Sequence, residues 1–244
     1  MFSETVDRYL GQAADLIDGL YLHGSAALGD YRAGISDIDF VAVVGAPLSD
    51  DAFARLGAVH RALGGPHLDG IYVTRDELAA GPLAIGPTPY ARAHRLHRAG
   101  TFEHNPVTWH TLAHHAVVAH GPPPSALAVW DSTDALLSYQ RENLRGYWTG
   151  WVDGASWSLL HRGAAAWGVL GIPRLHHTLR TGRITSKTGA GEFALSTYDS
   201  RWHRIVTDAL AHRSGQPGTY RNPFTRRRDA VRFTRMALDA ALDA

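Results

Sequence analysis

The chain has 244 residues, of which 45% are hydrophobic and 19% charged, and its formal net charge is +1. These values are typical of a globular protein that is long enough to bury a core. The balanced charge provides no global field for nucleic acid or an anionic membrane, and the lack of cysteine excludes disulfides, thiol nucleophiles and cysteine-ligated zinc. The N-terminus carries acids where a signal peptide carries bases, and no apolar run approaches the ~20 residues of a membrane span. We therefore expect a cytoplasmic, monomeric protein without membrane contact.

The N-terminal half alternates between helix-like and strand-like segments. Helical spacing predicts an amphipathic helix over residues 4–17. A second helix is predicted over 52–64, with Asp50 or Asp51 as its cap. Strands are predicted at three short apolar segments: 20–23, 38–44 and 67–73. This order favours an α/β or α+β domain whose mixed sheet is covered by helices.

The character of the sequence changes after Gly121-Pro122-Pro123-Pro124, which is the best linker candidate. We therefore predict two domains, 1–121 and 125–244. Beyond the linker, helices are predicted at about 131–149, 153–170, 174–182, 188–197, 199–213 and 227–242, with breaks at 171–173 and 214–218. The second domain is thus predicted to be an all-α helical bundle.

Three aspartates stand at the predicted strands in a pattern typical of metal binding. Asp37 and Asp39 occupy alternate positions entering strand 38–44, so both carboxylates should project from one face. A divalent cation would remove their mutual repulsion, and hard oxygen ligands suit Mg²⁺. Asp69 lies inside the apolar strand 67–73, where an unpaired acid is costly. If the two strands are neighbours, three carboxylates converge for two-metal chemistry, and Asp69 could also accept the proton of an attacking hydroxyl.

A candidate phosphate loop precedes the first two acids. Gly24 lets the backbone approach a phosphate closely, and the following amides and the Ser25 hydroxyl could bind phosphate oxygens. A helix that continued from Ser25 through 28–31 would add a favourable dipole. Ser36, directly before Asp37, is a second candidate phosphate contact.

The succession of Gly24-Ser25, Asp37-x-Asp39 and a third acid on a later strand resembles the nucleotidyltransferase superfamily of the polymerase-β type. The run 22–39 is most similar to the aminoglycoside adenylyltransferases, in particular the streptomycin/spectinomycin 3''/9-adenylyltransferase family. The resemblance implies an enzyme of antibiotic resistance that transfers AMP from ATP, with two Mg²⁺ ions, to a small-molecule hydroxyl.

The resemblance extends into the second domain. It implies that Arg174 and Lys187 hold the ATP phosphates from across a cleft, and that an aromatic of the last helix, here Phe233, lies near the adenine. The competing interpretation of Phe233 is a core residue at helical spacing. Three positions depart from the family: Asp69 replaces a glutamate, Ala164 stands where streptomycin-modifying members have an aspartate, and segment 84–104 has no tryptophan. The last two departures favour a spectinomycin-like acceptor over streptomycin.

Alternatives remain open at this point. The same chemistry could act on a protein, an RNA end or a biosynthetic intermediate, although the balanced charge argues against nucleic acid. A non-catalytic nucleotide-binding or toxin-neutralising module is the second alternative. His110 and His114 are spaced as neighbours on one helix but lack the glutamate of a zinc-peptidase motif, so they are interpreted as surface or packing histidines.

Overall fold

A computed structural model describes residues 2–154 and 157–244. The chain divides into two compact units, Met1–Ser132 and Thr133–Ala244, which we call the N-terminal and C-terminal units. The predicted linker 121–124 lies inside the N-terminal unit, where the Tyr21 hydroxyl donates a hydrogen bond to the Pro122 carbonyl at 2.8 Å. Because this segment is anchored to the sheet, the division falls after Ser132 instead of at the proline cluster.

The N-terminal unit contains the predicted mixed sheet and helices. Its helices are α1 (Phe2–Ala13), α2 (Gly24–Ala27), α3 (Asp50–Ala62), α4 (Arg75–Ala80) and α5 (Pro106–His115). Its strands are β1 (Gly19–Leu22), β2 (Ile38–Val44), β3 (Leu68–Thr74), β4 (Thr88–Arg92), β5 (Arg95–Gly100) and β6 (Val117–His120). The cap of α3 is Ser49, whose hydroxyl accepts from the Ala52 amide, so the predicted cap at Asp50 or Asp51 is one or two residues too late.

Within the described residues, the six strands form one sheet in the order β5-β4-β3-β2-β1-β6. Strands β2 and β3 are parallel, and the other neighbours are antiparallel. The central strands were predicted because they are apolar and buried on both faces. Strands β4 to β6 were not predicted, since edge strands such as β5 carry exposed polar side chains without an apolar alternation.

Helices cover both faces of this sheet. One face packs against α1 and α3 through residues such as Phe40 and Tyr72. The opposite face packs against α4 and α5 through Val41, Ile71 and the fully buried Trp109. The alternation of side chains along β2 and β3 therefore places odd-numbered residues on the α4–α5 face.

The C-terminal unit is all-α, as predicted. Its helices are α6 (Thr133–Asn143), α7 (Thr149–Asp153), α8 (Arg162–Thr181), α9 (Lys187–Thr197), α10 (His203–Arg213) and α11 (Pro223–Leu242), with a π-helical segment at Leu144–Trp148. Helix α8 packs against α9, α10 and α11 and forms the centre of the bundle. None of the helices in the described part of the chain combines the length and the apolarity needed to cross a membrane.

The predicted break at 171–173 is wrong, because α8 runs through Pro173. A proline inside a helix costs about 3 kcal/mol, but burial of Ile172, Pro173 and Leu175 in the bundle core offsets this cost. Gly171 does not end the helix either: a β-carbon there would lie 2.3 Å from the Trp148 indole, so the glycine makes room for that ring. The predicted helices 153–170 and 174–182 are thus largely one helix, which begins at Arg162. Residues 155–156 of the predicted helix 153–170 lie outside the described residues.

Candidate active site

The pairing of β2 with β3 brings the predicted acids together. Asp39 and Asp69 are direct partners in the parallel register, and both continue the sheet face that carries Val41 and Ile71. Asp37 lies just before β2, and ligand atoms of Asp37, His67 and Asp69 all lie within 4.8 Å of one another. The two strands are therefore neighbours, which is the condition under which the three carboxylates were expected to converge.

Asp69 is positioned by the turn between β4 and β5. One carboxylate oxygen, Oδ1, accepts a hydrogen bond from the Ala93 amide at 2.9 Å. Ala93 and His94 both have positive φ, 49° and 62°, as a tight hairpin turn requires. Burial raises the pKa of Asp69, the Ala93 amide opposes this change and the nearby Asp37 charge adds to it. The hydrogen bond from Ala93 holds Oδ1 in place and leaves Oδ2 as the oxygen that can react.

The Asp39 carboxylate is partly buried and surrounded by like charges. Burial raises its pKa from 3.8 to about 6; His23 opposes this rise, and Glu103, Asp37 and Asp69 add to it. A cation placed among these groups would reverse the effect and favour the ionised forms. The electrostatics of the cluster therefore fit a divalent cation with oxygen ligands.

Gly24 comes close to the Asp39 carboxylate. Its φ is +56°, and a β-carbon at this position would lie 2.1 Å from Oδ2 of Asp39. Both the left-handed backbone and the close approach therefore require glycine here. The phosphate loop and the second acid are thus packed directly against each other.

Helix α2 is a single turn that ends at Ala27, so the helix does not continue through 28–31. The Asp30 amide donates to the Ser25 carbonyl, which turns the chain away from the helix. The Ser36 hydroxyl accepts a hydrogen bond from the Arg32 amide at 3.1 Å and so stabilises the loop before Asp37. Phosphate contacts of Ser25 and Ser36 stay predictions.

Three residues of the site were not found from the sequence. Nδ1 of His67 lies 3.6 Å from an oxygen of Asp37, and the His67 and His94 rings meet edge to face at 4.6 Å. Glu103, which acts on the pKa of Asp39, accepts a hydrogen bond from the Thr108 hydroxyl. His67 could have been found from its place two residues before Asp69. His94 could not, because it lies in the turn of a hairpin that the sequence did not predict, and Glu103 could not, because it follows that hairpin in an irregular segment.

Residues 4–85 match the family model of the nucleotidyltransferase domain. This match covers most of the N-terminal unit, which therefore resembles a nucleotidyltransferase domain. The matched segment includes Gly24 and all three predicted acids, whereas the β4–β5 hairpin and Glu103 lie beyond it. No curated protein has a significant match to this sequence.

Among solved structures, the chain is similar to a spectinomycin adenyltransferase from Enterococcus faecialis that was crystallised with ATP and spectinomycin. The two share 14% sequence identity with a TM-score of 0.68, and the match covers 98% of this chain and 99% of that one. This likeness shows that the nucleotidyltransferase domain and the helical unit that follows it both have the fold of that protein.

The two cations predicted to bind ATP lie in the C-terminal unit. Arg174 is a partly buried residue of α8. Lys187 is the first residue of α9, and its Nζ lies 5.0 Å from the centre of the Trp167 ring. Trp167 is a further surface aromatic that the sequence did not single out. The phosphate contacts of Arg174 and Lys187 stay predictions.

Phe233 does not have the surroundings that an adenine contact needs. It is fully buried in the core of the C-terminal unit, with its ring 5.6 Å from that of Tyr198 and 5.8 Å from that of Trp202. With no exposed face, it cannot stack on a base unless the core opens. The expectation is corrected: Phe233 is a packing residue, in line with its helical spacing.

Replacing Gly24 with alanine is expected to lower nucleotidyl transfer about 10²-fold or more, because the new methyl group would displace the Asp39 carboxylate. The matched control is Gly29→Ala. Gly29 also has a positive φ, +66°, but a β-carbon there meets nothing within 4 Å. Both variants should lose about 1–2 kcal/mol of unfolding free energy from backbone strain. Equal activity of the two variants in a pyrophosphate-release assay would contradict the prediction.

Proposed function

We propose that this chain is an O-adenylyltransferase that moves AMP from ATP to a hydroxyl group of an aminoglycoside or aminocyclitol antibiotic, with spectinomycin favoured over streptomycin. The observation that carries the proposal is the register of β2 and β3, which sets Asp39 opposite Asp69 with Asp37 beside them. The shared fold with a spectinomycin adenyltransferase supports the choice of donor and acceptor.

Asp37, Asp39 and Asp69 are the proposed ligands of Mg²⁺. Their carboxylates suit a hard cation, and the close group of Asp37, His67 and Asp69 is compact enough to share one. A divalent cation held there would neutralise charge on the triphosphate and make the α-phosphorus more electrophilic. Gly24 and Ser25 are proposed to approach the phosphates through the backbone, as glycine-containing turns do.

Asp69 is proposed to act as the general base. Oδ1 of Asp69 is held by the Ala93 amide, so Oδ2 is the oxygen that takes the proton of the acceptor hydroxyl. The hydroxyl oxygen forms a bond to the α-phosphorus, and the bond from that phosphorus to the β-phosphate oxygen breaks. Pyrophosphate leaves with both bonding electrons. We propose that Ser36, Arg174 and Lys187 bind phosphate oxygens of ATP, because a triphosphate needs donors and cations besides its metal ions.

The charge of the site supports a cationic acceptor. Glu103 acts on the pKa of Asp39 and is, with the three aspartates, the fourth carboxylate of the site. The local excess of negative charge therefore favours a molecule with protonated amino groups. Spectinomycin is favoured over streptomycin because the position of the acceptor-binding aspartate is occupied by Ala164 of α8. An uncharged acceptor would gain nothing from this field.

Pyrophosphate release should be measured with ATP, Mg²⁺ and a panel that contains spectinomycin, streptomycin, other aminoglycosides and nucleosides. We expect release with spectinomycin or a related aminocyclitol, together with a product heavier by one adenylyl group in mass spectrometry. Release with a protein or RNA acceptor alone would replace the antibiotic with that class. No release with any acceptor, together with ATP binding, would favour the non-catalytic nucleotide-binding module.

A further inference from the structure

Two histidines and an aspartate form a compact cluster away from the three acids of the candidate active site. Nδ1 of His110 lies 2.9 Å from Oδ1 of Asp131, and Nε2 of His114 lies 2.5 Å from Oδ2 of the same carboxylate. The two imidazole rings are 4.4 Å apart, since His110 and His114 lie one turn apart on α5. One carboxylate thus faces two imidazole nitrogens at once.

A single backbone carbonyl fixes both sides of this cluster. The Leu78 carbonyl accepts hydrogen bonds from the Trp109 indole at 2.9 Å and from the Trp130 amide at 3.2 Å. Trp109 directly precedes His110, and Trp130 directly precedes Asp131. Trp109 is fully buried, so the helix and the extended segment are held in place independently of the cluster. The three side chains are therefore positioned by the fold before any ligand arrives.

The geometry points to a second metal site, and we propose that His110, His114 and Asp131 bind Zn²⁺. All the ligand atoms lie within 4.8 Å of one another. Tetrahedral zinc has bonds of ~2.0–2.2 Å, which place its ligand atoms roughly 3.3 Å apart, so small side-chain rotations suffice. Two imidazoles and a carboxylate are ligands that favour zinc over Mg²⁺.

The site is accessible to an ion from solvent. The side chain of His110 is 12% exposed, that of His114 48% and that of Asp131 28%. Three protein ligands leave the fourth position of a tetrahedral ion for water. Zinc would replace the protons that now join the imidazoles to the carboxylate, so the ion pair and the metal site are alternative states of the same three residues.

Binding would crosslink two parts of the N-terminal unit. Helix α5 packs against α2, which carries Gly24 and Ser25, and Asp131 directly precedes Ser132, the last residue of this unit. Because zinc would bind the folded chain and not the unfolded one, it should raise the unfolding temperature. The function inferred for the site is structural, and it does not depend on the proposed antibiotic acceptor.

The test uses the full chain without a histidine tag, in buffer with excess Mg²⁺ to occupy the carboxylate centre. Zinc content after dialysis, calorimetric titration with Zn²⁺ and the visible absorption of Co²⁺ are measured for the parent chain, for His114→Ala and for His115→Ala. His115 is the matched control, since it is an exposed neighbour on the same helix outside the cluster. We expect one zinc ion per chain and tetrahedral Co²⁺ absorption in the parent and in His115→Ala, with affinity reduced about 100-fold or more in His114→Ala.

Three outcomes would overturn the proposal. The first is an absence of zinc binding, which would leave an ion pair only. The second is equal zinc binding by His114→Ala and by the parent chain. The third is loss of the zinc ion in Asp37→Asn but not in His114→Ala. AMP transfer in Mg²⁺ should be unchanged in His114→Ala, and this result would show that the variant is folded. Asp131→Asn provides a second variant, and it should lose zinc as His114→Ala does.

Discussion

Replacing Asp39 with asparagine is expected to lower kcat/KM for AMP transfer by at least about 10³-fold. The side chain keeps its shape but loses the charge that would hold a divalent cation, and such a cation contributes several kcal/mol of transition-state stabilisation. Pyrophosphate release at saturating ATP and Mg²⁺ measures the effect. Activity equal to that of the parent chain would rule out the proposed metal chemistry.

The same substitution should not destabilise the metal-free protein. The pKa of Asp39 is about 6 in the folded chain and 3.8 in the reference state, so the folded chain binds this proton more tightly. Ionisation of Asp39 therefore lowers the free energy of unfolding as the pH rises from about 4 to 6, by about 3 kcal/mol for two pKa units. Without this cost, Asp39→Asn at pH 8 should be at least as stable as the parent in metal-free thermal unfolding. A large loss of stability would mean that misfolding explains the loss of activity.

Replacing Asp69 with asparagine is expected to lower kcat by about 10²–10⁴-fold, which is the usual contribution of a general base. The asparagine oxygen can still accept from the Ala93 amide, so the hairpin contact is kept while the base is lost. Asp69→Glu restores a carboxylate with a longer reach and should recover part of the activity. Single-turnover kinetics with saturating acceptor separate this effect from a change in ATP binding.

The pH profile distinguishes a base from a residue that only stabilises the fold. Because Asp69 must be ionised to take a proton, the rate should fall as the pH drops through its pKa, which burial raises and a bound cation lowers. Asp69→Asn should lack this acidic limb, whereas Asp69→Glu should retain it. An unchanged limb in Asp69→Asn would assign the proton transfer to another group.

The sequence predicted the part of the site that depends on local order. The strands around Asp39 and Asp69 are apolar runs that the sequence identified, whereas the pairing of β2 with β3, which the sequence left open, places both acids on one sheet face. His94 could not be predicted, because it lies in the turn of a polar hairpin, and Glu103 could not, because it lies in the segment after that hairpin and acts on Asp39 through a long-range contact. Helix α8 shows the same limit, since local breakers suggested an end at Gly171 and Pro173 that tertiary packing overrides.

The expected adenine contact of Phe233 came from the resemblance alone, whereas its helical spacing already favoured a core residue. The packing of α11 against α8 places Phe233 in that core. The sequence also did not reveal that His110 and His114 share Asp131 as a partner, because Asp131 lies 17 residues beyond His114. Their proximity arises from two tryptophans that share one carbonyl, and no local pattern contains that information.

The hydrogen bond from Ala93 to Asp69 has a consequence for how such an enzyme could change its acceptor. The proposed base is held by a two-residue turn that lies outside the segment matched by the nucleotidyltransferase family, while all three acids belong to that segment. Substitutions in the turn would alter the basicity and aim of Asp69 without replacing any of the three acids. Natural variation in the hairpin would therefore adjust the enzyme toward hydroxyls of different acidity while Asp37 and Asp39 stay unchanged.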